Sequence, residues 1–71
     1  MRQAIIYRGE DNYWVVEVPS LPGCVSQGKT RQEALENVRE AIALYIEELE
    51  ARGEDVPGDY GPIDVETVSA A

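Results

Sequence analysis

The chain has 71 residues, with 14 acidic side chains against 6 basic ones and a formal net charge of −8. It contains no histidine and a single cysteine, Cys24. These counts exclude a histidine base or metal ligand, Ser-His-Asp and Cys-His nucleophile pairs, an internal disulfide and a four-cysteine zinc site. An acid excess of this size also disfavours direct binding to nucleic acid, whose phosphates are neutralised by lysine and arginine.

The length suits one domain over residues 1–71 with a thin core, one sheet and one helix, for which self-association is an expected supplement. Residues 2–8 read as a first strand, rich in β-branched and aromatic side chains. Residues 9–12 are turn material, since Gly9 and Asn12 both tolerate positive φ. Residues 13–18 (Tyr-Trp-Val-Val-Glu-Val) form the clearest strand, so the pair predicts a hairpin. Pro19 and Pro22 then interrupt the ladder, and Pro22-Gly23 suits the centre of a type II turn. Residues 24–28 predict a short third strand. Thr30-Arg31-Gln32-Glu33 fits a capping box, in which the Thr30 hydroxyl accepts from the Glu33 amide and the Glu33 carboxylate reaches back to the Thr30 amide. Leu35, Val38, Ile42, Tyr45, Ile46 and Leu49 follow at helical spacing, with Ala34 and Ala41 alongside, and Gly53 is a natural terminator. Pro57-Gly58 and Gly61-Pro62 break the chain into a loop. Residues 63–68 alternate apolar and polar for five positions, which predicts an edge strand with Ile63, Val65 and Thr67 inward.

The expected order is therefore β-β-β-α-β, an α+β fold. The helix is long enough to carry the chain back along the sheet. A right-handed crossover would then lay the fourth strand parallel to the first, giving a mixed sheet of order 3-2-1-4 with the helix on one face. Alternation places Trp14, Val16 and Val18 on one face of the second strand and Tyr13, Val15 and Glu17 on the other. Ala4 and Ile6 likewise oppose Ile5 and Tyr7. One helix covers one face only, so an apolar contact surface is expected on the other.

Carboxylates are the only plentiful catalytic side chains. Glu17 sits in a central strand and Asp64 and Glu66 on an edge, and nothing converges as a two-metal nuclease requires. No catalytic, metal or cofactor residue is expected. Cys24 opens a strand with no base close in sequence, which suits a small buried residue. Gly23, Gly28, Lys29 and Thr30 match the bare phosphate-loop string. The intervening residues must themselves be the third strand, however, so the match is coincidental. The longest uncharged apolar stretch, residues 41–46, is far short of the roughly 20 residues of a membrane span. With a lone cysteine and a start that runs straight into a strand, the chain is expected to be cytoplasmic and free of membrane. Its charge is segregated: residues 1–30 balance, while residues 53–71 carry Glu54, Asp55, Asp59, Asp64 and Glu66 and no base.

The run Val18-Pro19-Ser20-Leu21-Pro22-Gly23-Cys24, followed by Gly28, Thr30, Glu33, Ala34, Asn37, Glu40, Ala41 and Ile42, strongly resembles the HicB-like antitoxin family over nearly the whole chain. The combined motif is specific where no single piece is. The resemblance implies a degraded ribonuclease H-like fold without the acidic catalytic cluster, and so a protein that is not an enzyme. It implies a partner too, a small basic HicA-type toxin that cleaves RNA. Family members often carry an acidic residue where Ser20 stands. Many continue into a DNA-binding segment, so this chain is expected to be a stand-alone domain without operator binding. The expected contact groups are Tyr13, Val15 and Glu17 on the exposed sheet face and Asp64 and Glu66 in the acidic tail. A homo-oligomeric scaffold or regulator without a toxin is the alternative.

Overall fold

Three four-residue runs, the first two rich in β-branched and aromatic side chains, pair as one antiparallel sheet in the computed structural model, which describes residues 1–69. Strands β1 (Ile5–Arg8), β2 (Trp14–Glu17) and β3 (Val25–Gly28) lie in the order β1-β2-β3, with β2 central. The first turn is closed by the Gly9 amide donating to the Tyr13 carbonyl at 2.7 Å, with Asn12 at φ 62° as its side chain permits. The second connection is a double turn. The Leu21 amide donates to Val18 O, the Cys24 amide to Leu21 O, and the Val18 amide closes the segment onto Cys24 O. Pro22 and Gly23 (φ 83°) occupy the central positions of the second of these, the type II geometry expected.

Helix α1 (Arg31–Ala51) begins at Thr30, whose hydroxyl accepts from the Glu33 amide at 3.0 Å. The Glu33 carboxylate accepts from the Lys29 amide, one residue before the donor a capping box uses. At the other end Gly53 (φ 69°) donates to Glu50 O and Glu54 to Leu49 O, a Schellman closure that satisfies carbonyls the helix leaves free.

The helix packs on β3 and β2. Val16, Val18, Leu21 and Cys24 from the sheet side meet Ala34 and Val38 from the helix, and Ile6, Trp14, Ala41, Ile42, Tyr45 and Ile46 pack around them. A 21-residue helix is about 31 Å long, whereas a four-residue strand spans about 13 Å. The C-terminal half of α1 therefore overhangs the sheet. There Tyr45 is tied down by its hydroxyl, which donates to the Pro22 carbonyl at 2.8 Å.

The expected fourth strand does not form. The sheet is wholly antiparallel and three-stranded, not a mixed sheet of order 3-2-1-4, and residues 63–68 join no ladder. Of the three residues expected inward, Val65 is 78% exposed and Thr67 is exposed, and Ile63 alone is half-buried. Two competing interactions explain the difference. Asp64 accepts from the next amide, Val65 N, a local bond that occupies a donor a ladder would use. The Gln3 side chain also takes the bonds a ladder would make. Its Nε2 donates to the Tyr60 and Gly61 carbonyls, and its Oε1 accepts from Ile63 N. The tail is thus pinned by side chains, ahead of the point where β1 begins.

Candidate protein-binding surface

Cross-strand register sorts the sheet into two faces. Ile6–Val16–Ser26 and Arg8–Trp14–Gly28 form rows on the helix side, where Val16 is fully buried. Arg8 caps the Trp14 ring, its guanidinium carbon 5.1 Å from the ring centroid. Ile5–Glu17–Val25 and Tyr7–Val15–Gln27 form the rows on the opposite side. No element of the described residues packs over that face. Tyr7 is 43% and Val25 49% exposed, high values for large apolar residues in a sheet this small.

Glu17 is the one charged side chain in these two rows. It stands on the central strand, half-buried, between the aliphatic side chains of Ile5 and Val25. Among the described residues the ion pairs are those of Arg52 with Glu48 and Glu54, and neither reaches Glu17. Its field is felt by Tyr7. Desolvation pushes the Tyr7 phenol up, and the Glu17 charge pushes it further.

Beside Glu17 the double turn builds a wall. Leu21 is fully buried and Ser20 nearly so, which fixes Pro19, Pro22 and Gly23 at the sheet end. Between this wall and the strands lies a pocket of about 240 Å³, lined by Ile5, Glu17, Pro19, Pro22, Gly23 and Val25 among others.

Val15 and Glu17 therefore share the open face as expected. Tyr13 lies one residue ahead of β2, in the turn, and Asp64 and Glu66 are exposed on the tail, outside the sheet. The tail approaches the Ile5 end of the sheet. Asp59 accepts from the Gln3 amide, and Arg2 donates to the Pro57 carbonyl and to Ser20 Oγ. Desolvation alone would raise Asp59, but hydrogen bonds, that from the Gln3 backbone foremost, outweigh it and hold the carboxyl below its usual range. Ile5, Tyr7, Val25 and the two prolines complete the surface. Their signal in the sequence is partial: Ile5 and Tyr7 alternate with the inward Ile6, but only the register shows that Val25 flanks Glu17.

Other chemistry is sparse. Cys24 is buried in the core, where burial pushes its thiol up and the Arg2 charge offsets part of that rise. Residues 25–28 of the phosphate-loop string are strand β3, paired along its length with β2, so they cannot wrap a phosphate. Among the described residues no group of three or more acidic or cysteine side chains comes together to hold a metal, and no helix is long and apolar enough to cross a membrane.

Comparison with known proteins agrees on one family. The model for the HicB-like antitoxin of bacterial toxin-antitoxin systems matches residues 3–70. A UPF0150 protein of Thermoplasma acidophilum is 56% identical over 55 residues, 78% of this chain and 80% of its own length. A UPF0150 protein of Archaeoglobus fulgidus is 56% identical over 43 residues, 61% of this chain and 62% of its own. The crystal structure of the N-terminal domain of the Burkholderia pseudomallei antitoxin HicB is similar at a TM-score of 0.66 and 31% identity, covering 96% of this chain and 69% of that one.

Proposed function

Because the chain belongs to the HicB-like antitoxin family, we propose that it binds and masks a small basic HicA-type toxin that cleaves RNA. The observation that carries the reading is the uncovered sheet face, where Ile5, Tyr7, Val15 and Val25 surround one carboxylate, Glu17, that has no ion-pair partner among the described residues. An apolar patch of this kind marks a protein contact, and the carboxylate favours a basic partner. Val15 and Glu17 supply the centre of the contact, Tyr13 its edge, and Asp64 and Glu66 an acidic flank. A toxin that grips RNA is necessarily basic where it does so. An acidic protein laid over that surface denies it to the substrate without chemistry of its own. The antitoxin is thus a binding protein and not an enzyme, it needs no cofactor, it avoids nucleic acid, and it acts where the cell's RNA is, in the cytoplasm.

The test is calorimetric titration of a HicA-type protein from the same genome with the chain and with three variants. Val15→Asp and Glu17→Arg, both on the open face, should each weaken binding by tenfold or more. Leu44→Ala, on the exposed outer side of α1, should leave it unchanged. Equal binding by all four proteins would refute the assignment of this face. An oligomer in sedimentation that Val15→Asp dissolves, with no heat on mixing with the toxin, would instead favour a homo-oligomeric scaffold.

A further inference from the structure

The pocket beside Glu17 has a more specific chemistry than the face around it. Its volume of about 240 Å³ falls below the roughly 300–1,000 Å³ of sites that hold drug-sized ligands, so it suits one long side chain and not a cofactor. Ile5 and Val25 from the flanking strands and Pro19 and Pro22 from the double turn give it apolar walls, and nearly half of its lining surface is polar. A carboxylate stands among them with no cation of its own chain to neutralise it. The wall is braced, since Leu21 is buried beneath it and the Tyr45 hydroxyl holds the Pro22 carbonyl.

We propose that this pocket receives one arginine side chain of the basic partner, its methylene stem lying along Ile5, Pro22 and Val25 and its guanidinium meeting the Glu17 carboxylate. The proposal rests on the binding role argued above and names the contact within it. An apolar stem ending in a planar cation is the complement of an apolar slot ending in a carboxylate. A guanidinium offers that carboxylate two parallel N–H donors. It is also less strongly hydrated than an ammonium, so it gives up less on entering a partly desolvated slot. A phosphate or an acidic peptide would meet repulsion from Glu17, and a purely apolar side chain would bury the carboxylate without a counter-charge.

The experiment uses the chain alone and small probes, so its outcome is independent of any toxin. Amide shifts are followed by NMR during titration with n-butylguanidinium, n-butylammonium and n-butylurea. Saturable shifts confined to Ile5, Glu17, Val18 and Val25 with n-butylguanidinium are expected. Binding should be weakened at least about tenfold in Glu17→Gln, which loses the charge-assisted pair, and n-butylurea should give no saturable change. An unchanged thermal midpoint for Glu17→Gln would show that the variant is folded. Non-saturating shifts scattered over the acidic helix and tail would overturn the proposal, as would equal binding to Glu17→Gln. Binding of n-butylammonium as strong as that of n-butylguanidinium would overturn the assignment to arginine. Failure here with intact toxin binding sinks the pocket and not the antitoxin role, and failure to bind toxin with the pocket occupied does the reverse.

Discussion

At Gly28 the last residue of β3 meets the first turn of α1 so closely that a Cβ there would lie 2.5 Å from the Ala34 nitrogen and 2.8 Å from the Glu33 carbonyl carbon. Both neighbours are backbone and cannot swing aside. Gly28→Ala should therefore destabilise the fold by about 1–3 kcal/mol, the cost of overpacking a filled site. Thr30→Ala, which removes only the cap, should cost about 1 kcal/mol. Denaturant melts of the two variants check both values and their order. The cap was legible in the sequence because its partners lie within three residues. The need for glycine at position 28 was not, because it arises from an approach between two elements. Glu17 is intermediate: alternation put it on the outward face, but its apolar flanks come from the register. Its charge is readable through Tyr7, whose phenol desolvation and Glu17 together hold above the ordinary value. In Glu17→Gln the Tyr7 phenolate should appear at lower pH than in the native chain. Ultraviolet titration would detect that shift, and an unchanged curve would contradict the placement of Glu17 beside Tyr7.

Among the elements, α1 and the hairpin followed from patterns that extend over many residues, whereas the tail did not. Residues 63–68 carry a strand-like alternation, yet a ladder needs a partner with free backbone groups. Here residues 1–4, where the tail arrives, are not in strand conformation, and Gln3 makes the contact with its side chain. Nothing in the alternation of the tail reports on Gln3, more than 50 residues earlier in the chain. This attachment is peripheral to the core, so Gln3→Ala should release the Ile63 amide, which donates to Gln3 Oε1, to fast hydrogen exchange and leave the global unfolding midpoint nearly unchanged. Acid should do the same. The Asp59 carboxyl is held below its usual range in the folded chain, so its contribution is complete above the unfolded value and is lost as the pH falls through the folded one. Protection of the Ile63 and Gln3 amides that persists below that range would contradict the anchoring role of Asp59.

For the molecule as a whole, net charge and the uncovered face belong to one account. Residues 1–30 are neutral overall, and the acid excess lies on the helix and the tail. The open face is mostly apolar, with Glu17 its one charged side chain and Gln27 at its edge. Contact through that face is then short-ranged and largely apolar, while the surrounding acid guides a basic partner over longer distances. Salt screens such guidance beyond about 8–10 Å near physiological strength. Association with the toxin should slow several-fold as salt rises, with a smaller change in dissociation. The family was legible from the 18–24 turn motif and the helix that follows it, and those residues build the wall of the pocket and the packing beneath it. The most direct measurement is RNA cleavage by a HicA-type protein from the same genome, titrated with this chain and with its Glu17→Arg variant. The account predicts that one equivalent of the native chain abolishes cleavage and that the variant leaves most of it. Cleavage that persists under excess native chain would contradict it.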